Sequence, residues 1–338
     1  MNIVLHHRAG SFSERWIKYL QSKNIPFKKV DIRNENLENL LSEADIILCH
    51  LSQEDPYYWM VGNKLGFLAE VMGKKVYPDL WSNWFFDDKI IQKYLLDNIS
   101  DVHVPTHISF NYKEALSKVN TCSYPFVFKL KGGAGSVNVK LIKSKFSARI
   151  LVFRMFFLGI PKISKYHLLL NRLSKAKNLK NKIFELIVGT ASLLKKPKLN
   201  RIFGREKGYF YMQEFIEGAN HDIRIIVIGN QKLIALKRYT RKNDFKASGS
   251  GNFQALNYKS VDVKILNSSL QISKKLKAQS LALDFVYDRN NKFHLIEISH
   301  GFIPDAYDIC TGYWDQNLKW HDGNLNLAEE ILINILKE

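Results

Sequence analysis

The alternation of apolar and polar positions sorts the first hundred residues into short strands and helices. Ile3 to Leu5 reads as a buried strand, Ser13 to Lys23 as a helix opened by a serine cap, and Phe27 to Asp31 as a second strand. Asn36 to Ser42 reads as a helix. Ala44 to His50 reads as a third strand, apolar on both faces, the pattern of a parallel sheet covered on two sides. A helix over Tyr57 to Met72 then leads through Gly73 to a short strand, Lys75 to Pro78. This alternation predicts a small, open, doubly wound α/β domain over residues 1–104. His50, Ser52 and Gln53 follow the C-terminal end of a strand, where such sheets hold ligands; a solvated loop would read the same.

Further along, Asp87-Asp88 signals a helix start, and Ile90, Ile91, Tyr94 and Leu95 give that helix a buried face. Lys89 therefore falls in the first turn, where the helix dipole disfavours a cation unless an anion lies beside it. A helix around Tyr112 to Val119 precedes a strand containing Lys129. That strand runs into Gly132-Gly133-Ala134-Gly135-Ser136 and out through a second strand, Val137 to Ile142. Strand, glycine loop, strand excludes both the P-loop and the dinucleotide fingerprint, each of which needs a helix after the glycines. Such glycines let backbone amides close over phosphates; an ordinary hairpin turn has the same sequence.

Residues 209–254 read as an antiparallel ribbon: strands Tyr209 to Ile216, Ile223 to Ile228 and Lys232 to Arg238, then a basic loop punctuated by glycine. Gln213 and Glu214 end an aromatic strand where a purine edge could be held. Asp222 stands where a ribose hydroxyl could be caught. Arg224, Arg238 and Arg241 offer planar forks for phosphate oxygens. A plain meander with surface charges is the competing reading. Near the C-terminus, Asp284 and Glu297 lie on successive strands joined by a turn at Arg289-Asn290-Asn291. Like charges opposed in a hairpin repel, and a cation such as Mg²⁺ between them would explain the arrangement.

Composition narrows the classes. The chain has 338 residues, 46% of them apolar, enough for a sizeable core and for two or three domains. Cys49, Cys122 and Cys310 stand far apart, which fits a reducing compartment and neither a disulfide framework nor a zinc site. The start, MNIVLHHRAG, lacks the features of a signal peptide, so a cytoplasmic location is expected. The net charge of +18 is local: between Val137 and Phe210 stand eighteen Lys or Arg and two acids, Glu185 and Glu206, giving +16. Basicity confined to one segment argues against a nucleic-acid partner. Residues 145–208 interleave these cations with apolar residues at helical spacing, predicting a basic helical insert. Its composition suits either an anionic membrane surface or a small subdomain with solvated lysines.

The order of Lys89, Lys129 with GGAGS, QEFI, HDIR, NDFKASGSG, ALDFV and LIEIS resembles the ATP-grasp superfamily, most closely its RimK and glutathione-synthetase-like ligases. The resemblance covers nearly the whole chain. It implies an α/β plus α+β fold: the N-terminal α/β domain (1–104), a lid subdomain with the basic helical insert (105–208), and a C-terminal ATP-grasp subdomain (209–338). It also implies an ADP-forming ligase that joins a carboxylate to an amine through an acylphosphate, with ATP and Mg²⁺ as cofactors and Mn²⁺ as an alternative ion.

Carried over by position, Lys89 and Lys129 match the family's phosphate-contacting lysines, and Gly133, Gly135 and Ser136 its mobile glycine loop. Gln213, Glu214, Phe215 and Ile216 match the adenine-holding segment, Asp222 a nucleotide-contacting acid, and Lys246, Ala247 and Ser248 a loop that touches ATP. Arg224 and Arg238 match the arginines that hold the transferring phosphate and the acid, and Asp284 and Glu297 two magnesium ligands. The family's third ligand, an Asn, is replaced by Ser299, a poorer donor to a second magnesium. The insert is also longer than the family's usual lid. His221 and His300 are readable either as proton-handling groups or as structural ones. The expected substrates are small-molecule, peptide or glycan-linked acids and amines, in bacterial surface glycan or peptide modification. Peripheral contact with the inner face of the cytoplasmic membrane through 145–208 is a further expectation. Phosphotransfer to an alcohol or sugar, or a catalytically weak nucleotide-binding protein that docks on membranes, are the alternatives.

Overall fold

A computed structural model describes residues 1–33, 41–133, 138–162, 198–240, 244–247 and 251–337. The helix expected over Asn36 to Ser42, and the site candidates Gly135, Ser136 and Ser248, lie wholly or mostly outside the described residues. The chain divides into two compact units. One comprises Met1–Ser52, Tyr57–His103 and Ile216–Glu338; the other comprises Gln53–Pro56 and Val104–Phe215.

The first unit opens with strands β1 (Ile3–His6), β2 (Phe27–Val30), β3 (Ile46–Leu48) and β4 (Lys75–Tyr77), all parallel in the order β2-β1-β3-β4. Helix Phe12–Ser22 is capped by Ser11, whose hydroxyl accepts from the Ser13 amide. It buries Phe12, Trp16, Ile17 and Leu20, and the Trp16 indole donates to the Ala328 carbonyl at 2.7 Å. Helix Lys89–Ile99 starts at Asp88, whose carboxylate accepts from the Ile90 and Ile91 amides at 3.1 Å each.

In the second unit, β5 (Thr106–Ser109), β6 (Phe126–Lys129), β7 (Val139–Ile142) and β10 (Phe210–Glu214) form an antiparallel sheet in the order β5-β10-β6-β7. Between β7 and β10 come helix Lys145–Phe153, a π-helical turn over Arg154–Leu158, and a two-stranded ribbon of β8 (Ile160–Pro161) and β9 (Arg205–Glu206).

The first unit resumes with its larger sheet: β11 (His221–Ile228), β12 (Lys232–Tyr239), β13 (Phe253–Ala255), β14 (Ser280–Tyr287), β15 (Phe293–Ser299), β16 (Gly312–Asp315) and β17 (Trp320–Asp322). Side chains alternate across its two faces. Ile223, Ile225, Val227, Leu281, Leu283 and Phe285 pack with Ile265, Leu266 and Leu270 of helix Val263–Leu276. Ile226, Ile228, Ile234, Leu236 and Ala282 face the other way, with helix Leu327–Lys337 and the apolar side chains of β1 and β3. The next even positions on β11 are Arg224 and Asp222, so the second apolar face continues directly into charge.

Candidate active site

Register builds that charged row. Asp222 stands opposite Arg238, Arg224 opposite Asp284, and Asp284 opposite Glu297. The Arg224 guanidinium donates to both oxygens of Asp284, at 2.5 and 2.6 Å. Arg238 donates to both oxygens of Asp222 at 2.6 Å and also reaches Asp284 at 2.9 Å. These are two-pronged, planar pairings available to arginine and not to lysine. Burial alone would push the Asp284 carboxyl up, but the two arginines hold it well below the usual carboxylate range. Arg224, half-buried beside it, is kept firmly charged by Asp284. Burial pushes the Asp222 carboxyl up, against the pull of Arg238.

Glu297 reaches this face because of a bulge. Leu295 and Glu297 are two apart and would share a face in a regular strand, yet Phe285 pairs with Leu295 while Asp284 pairs with Glu297. The extra residue, Ile296, lets Leu295 stay in the core while Glu297 turns toward Asp284. There Glu297 meets the ammonium of Lys89 at 3.2 Å. The anion that a lysine in a helix's first turn calls for is thus supplied from β15, and Lys89 is only 4% exposed. Within this group Asp222, Asp284 and Glu297 balance Arg224, Arg238 and Lys89, so the row is neutral before any ligand arrives.

Hard oxygen donors suit Mg²⁺, which takes one or two carboxylates and completes its shell with water and phosphate oxygens. Asp284, which its two arginines hold ionised, and Glu297, opposed to it in register, fit that demand. Among the described residues no cluster of three His, Cys, Asp or Glu could hold a metal ion. The Ser299 hydroxyl donates to the Gly301 carbonyl at 3.0 Å and accepts from the Gly301 amide at 3.2 Å. Its third-ligand role would require giving up that turn.

In the second unit, register puts Gln213 opposite Val127, so Lys129, two residues on, shares its sheet face. Both are buried. The Gln213 amide donates to Thr106 at 3.2 Å and to the Tyr211 hydroxyl at 3.4 Å. Glu214 is exposed, its amide bound to the Pro105 carbonyl; Phe215 is half-buried. Gly133 has φ +126°, a backbone reserved for glycine. The entry to this loop is clamped: the Lys131 amide donates to the Tyr209 hydroxyl at 2.6 Å, and Tyr209 in turn binds Glu206. Ile216 belongs to the first unit and is half-buried; Lys246 pairs with Asp244 at 3.4 Å, and Ala247 is buried.

Sequence reasoning did not anticipate Tyr307, a buried residue that lies close enough to Arg224, Arg238 and Asp284 to feel their charges. No strand pattern marks it, since it sits in a short 3-10 turn, Pro304–Tyr307. Of the two histidines, His300 is 0% exposed, packed against Phe86 at a centroid distance of 4.4 Å. His221 hydrogen-bonds Asn220 at 2.6 Å.

Residues 190–302 match the profile of the RimK-like ATP-grasp domain. No curated protein matches the chain in sequence. Among solved structures, biotin carboxylase from Campylobacter jejuni, in complex with a β,γ-ATP ligand, aligns with a TM-score of 0.58 at 12% identity, over 99% of this chain and 70% of that one. D-alanine–D-alanine ligase from Bacillus anthracis aligns at 0.56 and 14%, over 99% and 97%. The ATP-grasp ligase PsnB, bound to a minimal precursor, aligns at 0.58 and 11%, over 98% of each chain. The resemblance drawn from the sequence is borne out: this is a mixed α/β protein with the ATP-grasp fold.

Proposed function

We propose that the chain is an ADP-forming ligase that joins a carboxylate to an amine. The observation that carries this reading is the neutral row in which Arg224 and Arg238 share Asp284 while Lys89 holds Glu297. Phosphoryl transfer asks little covalent help of a protein; it needs charge neutralised and groups aligned. Mg²⁺ held by Asp284 and Glu297 would offset triphosphate charge. The chain's own part is to hold Arg224 and Arg238 as fixed forks. Released from carboxylates, these can take phosphoryl oxygens and the acid. A substrate carboxylate oxygen bonds to the γ-phosphorus as the β–γ bridge breaks and ADP leaves. The amine then attacks the acyl carbon, phosphate departs, and the amine proton passes to solvent.

In this reading residues 1–104 help select substrate, 105–208 form the lid, with Lys129 and Gly133 toward ATP, and 209–338 carry the chemistry, with Gln213, Glu214 and Phe215 toward the adenine. Gly135, Ser136 and Lys246 to Ser248 keep their proposed ATP contacts. His300, buried among aromatic rings, has no proton-handling part. Incubating the protein with ATP, Mg²⁺, hydroxylamine and a panel of acids tests the proposal. A hydroxamate formed with stoichiometric ADP supports an acylphosphate. ATP binding without ADP release for any acid and amine would leave only the weak nucleotide-binding alternative, and ADP release with phosphate on an alcohol would favour phosphotransfer.

The same proposal includes peripheral membrane contact on the cytoplasmic side. Phe146, Ile150, Phe153 and Phe157 are exposed along one stripe of helix Lys145–Phe153 and the turn after it, Phe146 at 75%. Residues 138–162 carry six cations and no acid around that stripe. Among the described residues no helix is long and apolar enough to cross a membrane.

A further inference from the structure

The parallel sheet of the first unit contains a topological switch point. From β1 the chain passes to β2 on one side, then crosses back to place β3 on the other, so β1 and β3 are neighbours whose connections diverge. Open α/β sheets leave a crevice outside the carboxyl ends of such a strand pair, and ligands settle there. Arg8 follows β1 at that end and His50 follows β3.

Both residues carry donors that the protein leaves unused. Arg8 makes no ion pair among the described residues, and its Nε is buried without a hydrogen-bond partner. His50 is 7% exposed and stacks on Phe12 at 3.8 Å, with the rings 11° apart. Its Nδ1 accepts the Phe12 amide at 3.1 Å, which fixes the ring proton on Nε2. No acceptor for Nε2 stands among the described residues. The first amides of helix Phe12–Ser22 are already taken, by His50 and by Ser11, so the vacant donors are side chains, not the helix end. The guanidinium lies near enough for its charge to disfavour a protonated His50 ring, and neither group is paired with a carboxylate among the described residues, so the two make an incomplete set, since unmade buried hydrogen bonds are costly.

The pair also lies within reach of the chemistry. His50 Nε2 is 3.5 Å from where a Cβ on Gly301 would sit, and Gly301 is hydrogen-bonded to Ser299, two residues beyond Glu297. We infer that Arg8 and His50 form an anion subsite that holds a second negative group of the acid substrate, carboxylate or phosphate, apart from the carboxylate that reacts. This rests on the ligase reading, and it makes the preferred substrate an acid with a further anionic group. Arg8 supplies charge and a planar fork; His50 supplies a fixed, neutral donor.

The test uses full-length protein labelled with ¹⁵N-histidine, its nucleotide site saturated with a nonhydrolysable ATP analogue. The His50 Nε2 signal, identified by its loss in His50→Gln, is followed while inorganic phosphate or acetate is added. Saturable movement of that signal is expected, tighter for phosphate if the substrate bears a phosphate and tighter for acetate if it bears a carboxylate. Arg8→Ala should weaken binding roughly 10-fold or more, the loss of one charge-assisted contact. Gly301→Ala provides a second variant: the added methyl stands in ordinary contact with His50 and Phe86, so the protein should fold, but it covers Nε2 and should weaken binding too. Analogue affinity should be unchanged in Arg8→Ala. If the signal responds to neither anion, or responds equally in Arg8→Ala, the subsite does not exist. Failure of the ligase reading would instead show as absent ADP release with every acid, whatever the histidine signal does.

Discussion

Asp284 has two jobs that substitution can separate from those of its neighbour. It accepts from Arg224 and Arg238 in a buried setting, so Asp284→Asn leaves two guanidinium groups short of charge. Breaking a buried pair from one side costs about 3–5 kcal/mol, so this variant should lose stability as well as Mg²⁺-dependent turnover. Glu297 is more exposed and pairs with the Lys89 ammonium. Glu297→Gln should therefore abolish turnover while moving the urea midpoint much less. Equal shifts in the two midpoints would contradict this division. His300 gives a second prediction. Burial pushes its pKa down to about 3, against 6.5 when free, so the folded protein keeps it neutral while the unfolded chain takes up a proton. Its contribution is intact above pH 6.5 and is lost as pH falls toward 3, by about 1.4 kcal/mol per unit. His50, also pushed well below its usual value, adds a slope of the same sign, and Asp284 acts only below the free carboxylate value of 3.8. His300→Phe, which replaces a ring without hydrogen-bond partners by an apolar one, should leave stability at pH 7.5 nearly unchanged. It should also flatten the decline between pH 6.5 and 4 measured by urea unfolding; an unaltered slope would refute the linkage.

At the scale of elements, periodicity located the strands that matter and missed how they are joined. The run from Ile223 to Ile228 and the hairpin bearing Asp284 and Glu297 are legible because apolar alternation and an Asn-rich turn are local signals. The bulge at Ile296 is not, because nothing in LIEIS distinguishes a regular strand from one that turns Glu297 over. Nor is the Lys89–Glu297 pair, which links residues 208 positions apart through tertiary packing alone. What the sequence did carry was the oddity of a lysine in a helix's first turn. The cap before it is testable: Asp88→Ala removes an acceptor for two backbone amides and should cost about 1 kcal/mol, whereas Asp88→Asn, an equally good cap, should cost little. Thermal melts showing the same loss in both would mean that charge at Asp88, not capping, holds the helix.

For the whole molecule, the uneven charge is the property with the largest consequence outside the active site. A net +16 between Val137 and Phe210 leaves the remainder nearly neutral, so any electrostatic attraction acts through that segment. Helix Lys145–Phe153 gives it a second component. Ala148, Leu151 and Val152 face inward, while Phe146, Ile150, Phe153 and, in the next turn, Phe157 recur at helical spacing on the outside. Arg149 and Arg154 lie between them, and Lys143 and Lys145 just before them. An apolar stripe flanked by cations is the arrangement that enters the headgroup region of an anionic bilayer, each cation adding on the order of 1 kcal/mol. Because the Coulombic part is screened within about 10 Å at 0.1 M salt, binding should weaken steeply as salt rises, whereas the apolar part should not. Sedimentation with vesicles separates the two. The protein should pellet with anionic vesicles at low salt, stay in solution with neutral ones, and be released by high salt. Phe146→Ser combined with Phe153→Ser should reduce the pelleted fraction at low salt without changing ATP binding. Protein that remains in the supernatant with anionic vesicles at low salt would show that the stripe is covered by another part of the chain or serves the lid, and the membrane reading would fall.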